Sequence, residues 1–321
     1  MSTDAAFVSD PSPIGKVSDG EVEDHVFTIT TASGTPVDSD KSIKIASSMN
    51  GGPPLFDHGR FGHAIASVGD LDGDGITDLV AGSDRDDTGG RLRGAVYVLL
   101  LNPDGTVKTS TKIASDTNGG PTLNDYDRFG GAVTSVCDLD GDGVPDIAVG
   151  ASSDDTNGGS GGAVYLLFMN PDGSVKQFSK IASDTNGGRT LVDGDLFGNS
   201  LAAAGDLDGD GVGDIAVGAV ETNVGGFRRG AVHLLLLNAD GSARSSTRIA
   251  SEFNGGPALS DNDGFGVSIT AMGDLDGDGD IDDDSSSCEF TRSLLNPPAD
   301  KHDWWLLQPQ PPSIPYACGC V

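Results

Sequence analysis

The sequence predicts an all-β protein, a propeller-type array of four-stranded antiparallel blades, and three observations carry that expectation. A nine-residue acidic loop recurs at an interval of 68 residues, as DLDGDGITD from Asp70, DLDGDGVPD from Asp138, DLDGDGVGD from Asp206 and DLDGDGDID from Asp274. Short apolar runs closed by Gly follow the first three copies, Leu79 to Ser83, Ile147 to Ala151 and Ile215 to Ala219, and read as buried strands. Asn/Asp/Gly turns keep the same interval. Four antiparallel strands repeated at a fixed period describe blades that bury their faces only against their neighbours.

Each unit can be assigned strand by strand. Strand A runs from a Phe-Gly pair (Phe61-Gly62, Phe129-Gly130, Phe197-Gly198, Phe265-Gly266) to the acidic loop, and strand B follows the loop. Strand C starts at the Gly-Ala-Val triplets at Gly94, Gly162 and Gly230. The turns at Asn102, Asn170 and Asn238 then mark a hairpin, because Asn, Asp and Gly accept the backbone conformations that tight turns need. Strand D ends at the Ile-Ala-Ser that follows Lys44, Lys112, Lys180 and Arg248, and an Asn-Gly-Gly at Asn50, Asn118, Asn186 and Asn254 closes the unit. The chain therefore holds three complete units and two partial ones. The period exceeds that of WD40 and kelch blades, and no Trp-Asp pair occurs.

The acidic loops point to a cation. Carboxylates stand at loop positions 1, 3, 5 and 9: Asp70, Asp72, Asp74 and Asp78; Asp138, Asp140, Asp142 and Asp146; Asp206, Asp208, Asp210 and Asp214; Asp274, Asp276, Asp278 and Asp282. Four such groups about 5 Å apart make six repelling pairs, each costing on the order of 0.8 kcal/mol even at the dielectric of water. Hard oxygen ligands, a position-7 carbonyl (Ile76, Val144, Val212, Asp280) and Gly at position 6 for the sharp turn favour Ca²⁺ over Mg²⁺. A solvated acidic turn is the alternative. The loop is not an EF-hand, since position 12 is Ala81, Val149 or Val217 rather than Glu.

With Phe-Gly, the Asp-rich loop and a Gly-Ala after strand B (Gly150-Ala151, Gly218-Ala219) in register, residues 41–282 resemble the FG-GAP repeats of the integrin alpha-chain propeller. That resemblance implies Ca²⁺ sites on one rim, with Asp70, Asp72, Asp74, Ile76 and Asp78 as the first ligand set. It also implies a fragment of a seven-bladed propeller. The family's Gly-Ala-Pro is here Gly82-Ser83 in one unit and lacks Pro in the others, a departure that touches a turn and not the ligands.

Both ends are expected to differ from the repeats. Gly20 to Asp24 and the strand-like Val26 to Thr30 resemble the end of a GEVED domain, so residues 1–40 are expected to be a linker or the close of a preceding β domain. Met1 to Gly15 has neither the basic start nor the apolar core of a signal peptide. Residues 283–321 carry Trp304, Trp305, Cys288, Cys318 and Cys320, and where strands B and C of a fourth unit belong the chain reads Asp283 to Ser286 and Pro298 to Trp305. That tail is expected to be foreign to the fold, as a disordered or aberrant end. A capping segment or a Cys-based metal site is the alternative, although one Cys-x-Cys without a His cluster falls short of zinc-ligand spacing.

Charge narrows the partners. Acidic residues outnumber basic ones 49 to 19, for a net charge of −30 at pH 7 and a pI near 4.1, so nucleic acid would be repelled. No apolar run reaches the length of a membrane span. Catalysis is not legible: His25, His58, His63, His233 and His302 stand in no protease or triad-like setting. Asp57, Asp125, Asp193 and Asp261 before each Phe-Gly, and Asp86, Asp87, Asp154 and Asp155 after strand B, could form a second rim of ligands, with solvated turns the simpler expectation. The expected function is a non-enzymatic, Ca²⁺-binding module of a secreted or cell-surface protein that engages a protein, matrix or cell-surface ligand. A carbohydrate-binding propeller and an accessory domain of a secreted hydrolase are the alternatives.

Overall fold

The computed structural model describes residues 43–156 and 159–270. The GEVED-like stretch, the fourth acidic loop (Asp274 to Asp282) and the C-terminal tail lie outside the described residues. Twelve strands occur among those described. The first blade is β1 (Ile65–Gly69), β2 (Asp78–Ser83), β3 (Ala95–Leu101) and β4 (Val107–Ala114). β5 (Phe129–Cys137), β6 (Asp146–Ala151), β7 (Ala163–Met169) and β8 (Val175–Ala182) form the second. β9 (Phe197–Gly205), β10 (Asp214–Ala219), β11 (Ala231–Leu237) and β12 (Ala243–Ala250) form the third. Each is a four-stranded antiparallel sheet with its strands in chain order.

This is the A-to-D order read from the sequence. β1 alone begins later than expected, at Ile65 rather than Phe61. Phe129 and Phe197 are bridged to Gly94 and Gly162 of the preceding blade, and among the described residues Phe61 has no such partner.

Burial follows from stacking. β3 and β7 are buried at every position, as strands must be when both faces are covered. On β7, Tyr165, Leu167 and Met169 pack toward blade one with Val96, Val98 and Leu100, while Val164, Leu166 and Phe168 pack toward blade three with Leu235 and Leu237. Period-2 alternation thus splits one strand between two cores. The outer strands β4, β8 and β12 keep exposed positions.

Two backbone seams set the blade spacing. A Cβ placed on Gly82, Gly150 or Gly218, the glycine near the end of strand B, would lie 2.1, 2.0 or 2.1 Å from the carbonyl oxygen of Gly130, Gly198 or Gly266 in the next Phe-Gly. Only glycine permits that approach. At the outer edge, the N–H groups of Val107, Val175 and Ala243 donate to the carbonyls of Asn50, Asn118 and Asn186, each at 2.9 Å, so each Asn-Gly-Gly turn is tied to the next strand D.

Gly150→Ala should therefore cost on the order of 3 kcal/mol in chemical denaturation, because backbone rather than a pliable side chain meets the new methyl. Gly141→Ala, at φ +76° with open space around it, should cost only the left-handed backbone strain of about 1–2 kcal/mol. Equal losses would contradict the seam.

Candidate metal centre

The acidic loops close on themselves before any ion is considered. In the first, both oxygens of Asp70 accept backbone N–H groups, from Asp74 at 2.9 Å and Gly75 at 2.8 Å. Asp74 Oδ1 accepts the N–H of Ile76 at 3.0 Å. Asp138 and Asp142 repeat this pattern in the second loop, and Asp206 and Asp210 in the third. Gly75, Gly143 and Gly211 take φ of +86°, +89° and +86°, the sharp turn expected at position 6. At position 7 the N–H of Ile76, Val144 and Val212 donates to the position-5 carboxylate, and the side chains pack on neighbouring apolar clusters, Val144 and Val212 between blades and Ile76 on blade one.

Position 9 is the structural pin. Asp78, Asp146 and Asp214 are at most 1% exposed. One oxygen of each accepts the N–H of loop position 2 (Leu71, Leu139, Leu207) at 2.8–3.0 Å, and the other accepts the N–H at the end of strand C (Leu101, Met169, Leu237) at 2.8–2.9 Å. Burial raises the pKa of all three against these bonds, and Asp146 is pushed up to about 7. Nearby loop carboxylates add to the rise. A cation beside them would relieve both effects.

The geometry suits an oxygen-ligated divalent ion. One oxygen from each of Asp70, Asp72 and Asp78, and likewise of Asp138, Asp140 and Asp146, lies within 4.8 Å of the others; in the third loop the convergent trio is Asp206, Asp208 and Asp210. Asp72 Oδ1 is buried with no hydrogen-bond partner among the described residues, a position that a cation would satisfy and that otherwise costs free energy. Asp74 and Asp142 stay outside the trios. Their outer oxygens meet Lys108 and Lys176, and those ammonium groups hold both carboxyls below the usual range.

Four of the other recurring acids serve the fold. Asp125 and Asp261 pair with Arg93 and Arg229 at 2.9 Å across successive units. Asp86 and Asp154 are buried and accept from Tyr97 and Tyr165 (3.1 and 2.9 Å) and from Lys112 and Lys180. Asp86 and Asp154 are therefore not solvated turns, whereas Asp125 and Asp261 stay half exposed. The sequence reading missed these partners, although Tyr97, Tyr165, Lys112 and Lys180 keep the 68-residue interval. His233 is buried edge-on to Phe197, and burial with Arg248 and Arg189 pushes it down to about 3, so it is neutral at physiological pH.

Three stretches, residues 61–99, 129–167 and 197–235, match the family model for the FG-GAP repeat. The chain carries three FG-GAP repeats. Each repeat matched runs from the Phe-Gly through the acidic loop into strand C. Relatives of the FG-GAP region include integrin alpha pat-2 of Caenorhabditis briggsae, 31% identical over 71% of this chain and 18% of its own length. Integrin alpha-PS2 of Drosophila melanogaster is 34% identical over 51% of the chain and 12% of its own, and human integrin alpha-11 is 36% identical over 50% and 12%. The chain spans less than a fifth of the length of these relatives. No helix among the described residues is long and apolar enough to cross a membrane.

Asp146→Ala should leave two buried N–H donors unpaired and lower stability by about 3 kcal/mol in urea with chelator present. Asp140→Ala, which loses one exposed ion pair, should cost under about 0.5 kcal/mol in the same titration. Comparable losses would mean that position 9 is not the pin.

Proposed function

We propose that the FG-GAP repeats form a Ca²⁺-binding module of a secreted or cell-surface protein and act by binding, not catalysis, on a protein, matrix or cell-surface ligand. The observation that carries this reading is the convergence of three loop carboxylates within 4.8 Å in each described repeat, with Asp72 Oδ1 buried and unpaired among them. The proposed ligands are Asp70, Asp72, Asp74, Ile76 and Asp78; Asp138, Asp140, Asp142, Val144 and Asp146; Asp206, Asp208, Asp210, Val212 and Asp214; and, by the same spacing, Asp274, Asp276, Asp278, Asp280 and Asp282. Ca²⁺ rather than Mg²⁺ fits an all-oxygen set in a loop that need not keep its waters. When bound, the ion would supply charge neutralisation and would tie strand A to strand B through position 9. The integrin relatives support an adhesion role. A glycan site in every blade has less support, since the exposed Tyr126 corresponds to His58, Gly194 and Asn262 in the other units.

Ca²⁺ at a hundredfold excess over its dissociation constant should stabilise the chain by about 2.7 kcal/mol per site, read as a rise in thermal midpoint that chelator abolishes. No shift in calorimetry would remove the metal reading. On a panel of immobilised extracellular-matrix proteins, the full chain should be retained with Ca²⁺ and released by chelator. Retention indifferent to Ca²⁺ would separate adhesion from the loops.

A further inference from the structure

A basic side chain recurs at these loops, outside the stretches that match the family model. Lys108, Lys176 and Arg244 are each the second residue of a strand D, on β4, β8 and β12, and keep the 68-residue interval. Each reaches the same two carboxylates of its own repeat. Lys108 Nζ lies 2.6 Å from Asp72 Oδ2 and 2.6 Å from Asp74 Oδ2. Lys176 Nζ lies 2.6 Å from Asp140 Oδ2 and also contacts Asp142 Oδ2. Arg244 spreads its fork over both, Nη1 at 2.7 Å from Asp210 Oδ2 and Nη2 on Asp208 Oδ2. Positions 3 and 5 are thus bridged by a positive charge in all three described loops, by two different residue types.

We infer that this strand-D cation is a tethered counter-ion that sets the divalent affinity of each loop, opposing a divalent ion at the neighbouring position 3 while holding positions 3 and 5 together when no metal does. The inference rests on the metal-binding reading above. A divalent ion about 2.4 Å from the other oxygen of position 3, the unpaired Asp72 Oδ1 in the first loop, would lie within roughly 7 Å of the ammonium or guanidinium. The repulsion between charges of +2 and +1 at that range weakens binding on the order of tenfold even at the dielectric of water. Carboxylates 3 and 5 repel each other when neither cation is present, so the same residue stabilises the chelated fold. Arg244, with two parallel donors in a rigid fork, yields its carboxylates less readily than Lys108 or Lys176, which makes the third loop the weakest of the three.

The test is Ca²⁺ titration calorimetry on the full chain and on two triple variants, Lys108→Met/Lys176→Met/Arg244→Met and Asp72→Asn/Asp140→Asn/Asp208→Asn. The Met variant should bind Ca²⁺ roughly tenfold more tightly and melt a few degrees lower in chelator, and the Asn variant should lose binding. Equal or weaker binding by the Met variant, beside a wild type that binds and an Asn variant that does not, overturns the inference and leaves the metal reading standing. Binding by none of the three removes both. Should the Met variant fail to fold, lysine acylation of the wild type mapped by mass spectrometry decides. Lys108 and Lys176 should react faster with Ca²⁺ than with chelator, while Lys112 and Lys180, held by the buried Asp86 and Asp154, should not change. Equal labelling of Lys108 and Lys176 under both conditions overturns the inference.

Discussion

Close approach of backbone to backbone at Gly82–Gly130, Gly150–Gly198 and Gly218–Gly266 is the constraint on which the rest depends. A sheet buried on both faces needs a neighbour at a fixed distance, and a side chain at either glycine would hold the blades apart. Only with that spacing do β3 and β7 pack apolar residues into both flanking cores and the carbonyls of Asn50, Asn118 and Asn186 meet the following strand D. The Phe-Gly pair is therefore best understood as two devices. Its glycine lies against the previous blade, while its phenylalanine packs edge-on against an aromatic of its own strand C, Phe61 on Tyr97 and Phe129 on Tyr165 at 5.3 and 5.5 Å.

The acidic loop is wired into this frame at one residue. Asp78, Asp146 and Asp214 each join loop position 2 to the end of strand C, so the cluster of exposed carboxylates stands on a buried one. Burial works against the charge of that residue, and its backbone donors work for it. Any cation at the loop mouth tips the balance toward the ionised form. An ion at the loop mouth would couple to the blade through this one carboxylate, whose two oxygens are already committed to the fold.

Strand order, hairpins and loop boundaries were legible because each leaves a local signal that recurs every 68 residues: Phe-Gly, Asp at alternate positions, Gly-Ala-Val, Asn-x-Asp-Gly. Side-chain partners were not, because each sits elsewhere in the unit with no local pattern. Asp86 meets Lys112 and Tyr97, Asp125 meets Arg93, and Lys108 meets Asp72 and Asp74. Asp86 and Asp154 looked like turn acids for the good reason that Asp is common in turns. The recurrence of Tyr97 and Lys112 at Tyr165 and Lys180 was the available signal that they are partnered.

The third blade separates what that buried network contributes from what the fold demands. Asp154, Tyr165 and Lys180 become Thr222, His233 and Arg248, which removes the carboxylate of Asp154 and leaves both ring nitrogens of His233 without a hydrogen-bond partner among the described residues. The aromatic contact is nevertheless kept, with Phe197 on His233 at 5.3 Å and an interplanar angle of 83° against 82° for Phe129 on Tyr165. A blade can therefore give up the Asp154–Lys180 type of pair, keeping a cation at Arg248 near the buried Asp195, while holding ring shape and edge-to-face geometry constant. Buried ion pairs offset much of their attraction by desolvation, whereas a ring filling the space behind Phe-Gly contributes packing wherever it stands. The repeat accordingly keeps the ring geometry and the strand-D cation and lets the carboxylate vary, from Asp86 and Asp154 to Thr222.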